Sequence, residues 1–448
     1  MKSLLNVSKI VIHASGFEAG NVELFRLYHI LINGWCDIGY HFVIGNGKGD
    51  YSFEGQVERG RSLKFQGAHV KGQNHDSIGI CLIMAKGQTP TELQLLALEN
   101  LVFYLCRLYD LDSSSITTHS QLSSKWDPGP NFKLEIFRER IKSKLKDNIL
   151  WPKITLNLRK ILVQRSHPFG YYLKLFKKAG VTRLVFPLHW NVEEKLDKVR
   201  NFVVLSKNEG FETALYTGPF GTEKPDILRQ NPWMRAWQQR SKDGKPLTYR
   251  GLLFFCPNSP YLQEYRGPII ESILERCPFD WVFFDIPWFL KGGCYCKYCL
   301  SERNAGKKSF KQKSLRVALA NFVLRLKTRF PHLKFAVNTG CNIIMKHLAW
   351  NCVTPEVFSG IFEEMVTEYN TPSGKEKEIS KCLKIVNERI GGVSLSHAFF
   401  IESNGKFDYD KLIKIAKIAF SHNAGIWITP PYFDERTSSI FKNFLLNT

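Results

Sequence analysis

Ile116–Phe132, ITTHSQLSSKWDPGPNF, is the stretch on which the reading of this chain turns. It carries His119, Lys125 and Asp127, spaced six and two residues apart, followed by Pro128-Gly129-Pro130. The Ser, Pro, Gly and Asp content reads as an irregular loop. An imidazole and a carboxylate on one loop can reach a single zinc ion, and a lysine between them can reach what the zinc holds. Zinc that performs hydrolysis needs three protein ligands and one open position. This loop supplies two, so a third must come from elsewhere. His13 is the best candidate, in Lys9–Ser15, KIVIHAS, which reads as a strand running into a polar loop. A lone histidine at a strand end is more often structural than a ligand, so the case needs the sequence in between.

Three blocks lie there in order: Gly34–Ile44, GWCDIGYHFVI; Gly55–Arg61, GQVERGR; and Gly67–Leu82, GAHVKGQNHDSIGICL. In this order and spacing the chain resembles the zinc-dependent N-acetylmuramoyl-L-alanine amidases, the superfamily of amidase-type phage lysozymes and peptidoglycan recognition proteins. The resemblance covers roughly residues 7–145, about a third of the chain. It implies Zn2+ on His13, His119 and Asp127, with Tyr40 facing the metal to orient or deprotonate a water and Lys125 approaching the developing oxyanion. It implies that His69 and Asn74 line a peptide groove. Asp127 stands where many recognition-type relatives carry cysteine, and aspartate is an acceptable zinc ligand. Binding modules that do not cut would be expected to lose a ligand, and all three are kept here. The bland reading suits the other candidates: His41 alternates away from Tyr40 on a strand, His29 and His75 are packing or surface residues, and Trp35 belongs to a core.

A length of 448 residues exceeds one ordinary core and implies two or three domains. At 44% hydrophobic and 13% aromatic, the chain can bury large cores and is not disordered. No apolar run is long enough to span a bilayer. The N-terminal MKSLLNVSKIVIHAS lacks the apolar core and cleavage site of a signal peptide. The expectation is a cytoplasmic protein that reaches the cell wall after release or by an unrecognised export route. Eleven cysteines, mostly in apolar segments, read as reduced thiols. The formal charge of +21 is uneven: residues 1–147 hold 17 Lys/Arg against 15 Asp/Glu, leaving 45 against 26 in the remainder. A basic second part favours anionic partners such as acidic cell-wall polymers. No zinc finger, phosphate loop or aromatic-basic signature singles out nucleic acid.

The first 147 residues read as a mixed α/β domain with strands at Ile10–His13, Tyr40–Ile44 and Ser77–Met84. The last is nearly continuous in apolar residues, as a central strand is. Gly45–Asp50 reads as a turn pairing Val43-Ile44 with Tyr51–Phe53 in a hairpin. Thr89-Pro90-Thr91-Glu92 opens a helix, with a Thr cap and a proline in the first turn, that continues to about Tyr109; Leu134–Leu145 closes the domain.

From residue 151 to 448, apolar runs alternate with amphipathic segments: Ile154–Leu158, Arg183–Leu188, Thr213–Tyr216, Leu252–Cys256, Trp281–Ile286, Lys334–Val337, Gly360–Phe362, Ser394–Phe400 and Ile426–Thr429. The alternation predicts a (β/α)8 TIM-like barrel, with nine candidates for eight places. A doubly wound sheet is the alternative, but its Gly-rich fingerprint is missing. Phe279–Trp288, FDWVFFDIPW, is a strand ending in Asp285, and strand ends face a barrel's active site. This weakly resembles putative barrel glycoside hydrolases. Glycoside hydrolysis needs two carboxyls, and Glu364 is preferred for the second over Glu363 and Glu402. Trp190, Tyr216, Phe220, Trp288 and Tyr432 are aromatics that could stack on sugars. Cys294, Cys296 and Cys299 could hold a second, structural zinc with a fourth ligand from elsewhere.

The combined expectation is a peptidoglycan hydrolase: a zinc amidase cutting the bond between N-acetylmuramic acid and L-alanine, joined to a barrel that binds or hydrolyses glycan. The rival is a non-catalytic peptidoglycan or muropeptide binder whose inactive basic barrel anchors it to the wall.

Overall fold

The structure, a computed structural model, describes residues 2–4, 6–146, 154–158, 168–188, 196–249, 251–285, 289–290, 292–300, 307–338, 355–368, 376–389, 394–399, 409–422, 424–429 and 433–446. It divides into two compact units, one of Met1–Ile149 with Pro355–Glu363 and Val386–Ser394, the other of the remaining residues.

The first unit is built on a five-stranded mixed sheet. Its strands are β1 (Lys9–Gly16), β2 (Phe42–Ile44), β3 (Val57–Arg59), β4 (Ser77–Ala85) and β5 (Ile116–Thr118), in the order β3-β2-β4-β1-β5. β3 runs antiparallel to β2, and the other pairings are parallel. The apolar run of β4 lies at the centre with every residue but the last buried, as both-face burial requires. Alternation on β1 then sorts side chains to two faces. Ile10, Ile12 and Ala14 join one core with the helices α2 (Glu92–Tyr109) and α4 (Leu134–Lys146). On the opposite face Val43, Cys81 and Ile83 pack with Val22 and Phe25 of α1 (Val22–Leu31).

Four local expectations change. The partner of β2 is Val57–Arg59 rather than Tyr51–Phe53, because Gly47 and Gly49 take left-handed φ values (+74° and +68°) and Lys48–Asp50 coils into a 3₁₀ turn that lengthens the connection. The cap of α2 is Thr91, which closes a capping box with Gln94, while Pro90 precedes the helix. Trp35 is 36% exposed, lying over the His29 ring with centroids 4.7 Å apart, instead of in a core. The outer edge of β3 is covered: the Ser359 hydroxyl accepts from the Val57 amide and donates to the Val57 carbonyl, each at 3.1 Å. That blunts an edge strand. Gly360, expected to begin a strand, has φ +81°, and a Cβ there would lie 2.0 Å from the Gly55 carbonyl oxygen. The chain turns at this point, and the next strand starts at Glu364.

The second unit contains a closed eight-stranded barrel. Its chain order is β6 (Ile154–Asn157), β7 (Arg183–Pro187), β8 (Glu212–Thr217), β9 (Gly221–Glu223), β10 (Thr248–Tyr249), β11 (Leu252–Phe254), β12 (Trp281–Phe284), β13 (Lys334–Asn338), β14 (Glu364–Glu368), β15 (Ser394–Phe399) and β16 (Ala424–Ile428). β6-β7-β8-β12-β13-β14-β15-β16 close the barrel. The ninth candidate, Leu252–Cys256, lies outside it: β11 is the middle of a three-stranded antiparallel sheet with β9 and β10, inserted between β8 and β12. Val185, Ala214, Trp281, Phe283, Ala336, Val366 and Trp427 fill the interior as one apolar cluster. It is a TIM-like barrel whose core is packed side chains.

Candidate metal centre

Parallel register assembles the first site. Ile10, Ile12 and Val11 of β1 pair with Ile116, Thr118 and Thr117 of β5, so the next residue of β5's chain, His119, falls level with His13. His13 pairs with Cys81 on its other side. His13 is fully buried in the interior of β1, which continues to Gly16 through its pairing with β4, rather than at the strand's end. After His119 the chain makes one helical turn, α3 (His119–Leu122), and returns, with the Ser120 amide donating to the Asp127 carbonyl at 2.9 Å. The loop is thereby closed with Asp127 beside both histidines.

One ligand atom from each of His13, His119 and Asp127 lies within 4.8 Å of the others. Asp127 Oδ2 is 3.0 Å from His119 Nδ1, and Asp127 Oδ1 is 3.4 Å from His13 Nδ1. The buried atoms His13 Nδ1 and Asp127 Oδ1 have no hydrogen-bond partner among the described residues. Leaving a buried polar atom unsatisfied costs about 1–3 kcal/mol, and two such atoms aimed at one point suit a cation between them. Two imidazoles and a carboxylate are a zinc donor set that leaves one coordination position open. The residues present therefore fit the metal.

The electrostatics point the same way. Burial pushes the His13 imidazole below its ordinary value, only partly offset by Asp127, so it is neutral as a ligand must be. Burial alone would raise the Asp127 carboxyl, but the adjoining imidazoles of His119 and His13 hold it below its usual range. Tyr40 lies beside His13, ring centroids 5.3 Å apart, and burial pushes its phenol well above the ordinary value, with Cys81 and Asp127 adding to the effect. Lys125 is exposed on the closing loop, and its ammonium makes no hydrogen bond or ion pair among the described residues.

His69 and Asn74 are both engaged by the domain's own chain. His69 is 7% exposed, with Nδ1 3.1 Å from His13 Nε2. Its ring fills the space over Gly79, where a Cβ would lie 2.5 Å from Cγ of the imidazole. Asn74 Oδ1 accepts from the His69 and Val70 amides at 2.9 and 3.0 Å, bracing the loop that carries His69. His41 is structural: its Nε2 meets the Phe65 carbonyl and its Nδ1 accepts from the Gly79 amide, and burial lowers it to about 4. His29 accepts from the Gly39 amide, and His75 is exposed.

Fold and cluster together define the class: a mixed-sheet domain with a two-histidine, one-aspartate candidate metal centre built on β1 and the loop that follows β5. The chain belongs to the N-acetylmuramoyl-L-alanine amidase family, whose family model matches residues 3–130. It is 34% identical over 135 residues to the endolysin of Escherichia phage T7, covering 28% of this chain and 82% of that protein. It is 32% identical over 115 residues to human peptidoglycan recognition protein 4, 24% of this chain and 29% of that protein. Among solved structures, a GH36 α-galactosidase from Geobacillus stearothermophilus is similar over 66% of this chain and 41% of its own, with 12% identity and a TM-score of 0.48.

In the barrel, Asp285 directly follows β12 at the C-terminal end of the strands. It is 8% exposed and accepts from Asn338 Nδ2 at 3.2 Å. Glu364 does not face it. Glu364 is the first residue of β14 and pairs in register with Ala336, two residues before Asn338. It is fully buried against Arg183, Nη2 to Oε2 2.9 Å, with the guanidinium 4.1 Å from the Trp281 ring centroid. Glu364 therefore belongs to an ion pair near the opposite end of the strands. Glu363 lies in the first unit, 4.0 Å from Lys144. Glu402, Trp190, Trp288 and Tyr432 lie outside the described residues. Phe220 is completely buried, and Tyr216 packs on Trp427 inside the barrel, centroids 5.2 Å apart.

Cys294, Cys296 and Cys299 do come together, and a residue that sequence reasoning assigned to a barrel strand joins them. Cys256 directly follows Phe255 at the end of the β11 run, and all four sulfurs lie within 4.8 Å of one another.

Proposed function

We propose that residues 1–147 form a zinc-dependent N-acetylmuramoyl-L-alanine amidase and residues 151–448 a barrel domain directed at the glycan of the same polymer. The observation that carries the amidase reading is the convergence of His13, His119 and Asp127, with two of their buried polar atoms left unpartnered. His13 Nδ1, a His119 ring nitrogen and an Asp127 oxygen would hold zinc, which supplies a Lewis acid for the scissile amide carbonyl and acidifies water.

This chain's own residues would do the rest. Tyr40, beside His13, positions the attacking water. Lys125, exposed on the closing loop, approaches the carbonyl oxygen as negative charge grows there; such a donor is worth most in the transition state. Muropeptides and intact peptidoglycan are the substrate class. Asp285 at the barrel's strand ends, beside Asn338, supports a glycan-facing mouth there. Tying two domains that act on one polymer raises the local concentration of each.

Digestion of purified sacculi by the full chain tests the reading. Amidase action creates new L-alanine amino termini without new reducing sugar ends, and the activity disappears in His119→Ala. Reducing ends that persist in His119→Ala and vanish in Asp285→Asn would assign glycan cleavage to the barrel. Tight sacculus binding with neither product would favour the non-catalytic wall binder.

A further inference from the structure

We propose that Cys256, Cys294, Cys296 and Cys299 form a second, structural metal site of tetrahedral four-thiolate type, taking zinc, within the barrel unit. The four thiols come from two separate segments, the end of the β11 run and the loop after β12, yet their sulfurs all lie within 4.8 Å of one another. None is more than 1% exposed.

Geometry separates this from the alternatives. Zinc–sulfur bonds of about 2.3 Å in a tetrahedron place sulfurs about 3.8 Å apart. Cys256 and Cys299 Sγ are 3.4 Å apart, close to that spacing and far beyond the roughly 2.05 Å of a disulfide. The thiols are also not an apolar cluster, because N–H donors are aimed at them. The Asn258 amide lies 3.4 Å from Cys256 Sγ, and Asn258 Nδ2 lies 3.4 Å from Cys299 Sγ. The Asn258 side chain is held in that pose by Ser314 Oγ at 3.0 Å. Donors of this kind stabilise sulfur that carries negative charge, and they are the outer partners that orient metal ligands. Four thiolates this close would repel strongly without a cation among them. A buried all-sulfur set selects zinc over hard cations such as magnesium or calcium.

The site would have a definite structural consequence. Cys256 belongs to the antiparallel insertion, and Cys294–Cys299 to the loop that begins just after Asp285. The two are already stitched by hydrogen bonds, with the Tyr295 amide donating to the Arg240 carbonyl at 2.9 Å and the Leu290 amide to the Gln239 side-chain Oε1 at 2.7 Å. A metal there clamps the insertion to the segment Gly292–Leu300. Within the short Cys294–Cys299 segment Tyr298 packs against the insertion's apolar cluster, and the metal would add a second fastening to that contact.

The experiment uses the full chain and zinc or cobalt alone as probes. In His119→Ala, which removes the first centre, the protein should still carry one equivalent of zinc. Loaded with cobalt, that variant should show thiolate-to-metal charge-transfer absorption, and Cys256→Ser should abolish it. As Cys256→Ser can fail to fold, thiol alkylation of the wild-type chain provides a second measurement. Zinc should slow modification of these four cysteines at least about tenfold relative to the chelated protein. A His119→Ala protein without metal or charge-transfer absorption, alkylation indifferent to zinc, or a disulfide among the four would each overturn the proposal. None of these outcomes depends on whether the chain cleaves peptidoglycan.

Discussion

His13 Nε2 lies 3.1 Å from His69 Nδ1, while the other nitrogen of the same His13 ring lies 3.4 Å from Asp127. The candidate ligand His13 is thus held from behind by a second imidazole. Burial lowers His69 well below its ordinary value, with His13 and His41 adding to the effect, so this contact is between neutral rings. It fixes which His13 nitrogen is presented to the cluster.

His69 is therefore expected to act on the metal and not on the peptide. His69→Ala should weaken zinc binding about 10–100-fold, read by competition with a chromophoric chelator, while KM for muropeptide in the zinc-saturated enzyme stays unchanged. Gly79→Ala should act in the same direction, since its Cβ would press on the His69 ring. Undiminished zinc affinity together with a raised KM would return His69 to the substrate groove.

Tyr40 and Lys125 should behave oppositely. Tyr40→Phe and Lys125→Ala leave the three ligands untouched, so zinc content should match that of the wild type. Amidase rate should drop by about two to three orders of magnitude, as when a general base or an oxyanion donor is lost. Chromatography of released muropeptides measures this, and wild-type rates in both variants would remove the pair from the mechanism.

Legibility in the sequence follows the range of the interactions. The convergence of His13, His119 and Asp127 could be read because a family pattern tied His13 to a loop more than a hundred residues away; the parallel register of β1 and β5 is the physical form of that tie. The barrel could be read because βα alternation is local. The insertion could not: Leu252–Cys256 is as apolar as a barrel strand, and only its antiparallel partners distinguish it. Glu364 misled for a similar reason. A carboxylate next to an apolar run looks like a strand-end acid, and nothing local announces Arg183, 181 residues earlier, as its buried partner. Asn74 and His69 carried a family expectation of peptide contact, whereas their hydrogen bonds are to the loop backbone and to His13.

The Arg183–Glu364 pair gives a stability prediction. Glu364→Ala should destabilise the barrel by about 3–5 kcal/mol, because it leaves a buried guanidinium beside Trp281 with Glu212, at 3.3 Å, as its carboxylate partner. Replacing both partners with Met and Leu should recover much of that loss. Urea denaturation of the full chain measures both variants. A Glu364→Ala protein of normal stability that loses glycan cleavage would instead restore Glu364 to a catalytic role.

Glu58 gives a pH dependence. It sits in β3, with Oε1 unpartnered among the described residues. Burial pushes its carboxyl up to about 7, the Val22 amide pulling it down and the Glu23 charge adding to the rise. A carboxyl raised on folding binds its proton more tightly in the native state than in the unfolded one. Between its unfolded value near 4.5 and about 7, this residue therefore removes stability as pH rises, and the penalty is complete above that window. Its size is on the order of 2–3 kcal/mol. Glu58→Gln cannot ionise, so it should be more stable than the wild type at pH 8 by about that amount and nearly equal to it at pH 4. Other carboxylates titrate alike in both proteins, so the difference between their stability–pH curves isolates Glu58. Parallel curves across this range would show that Glu58 ionises normally in the folded chain.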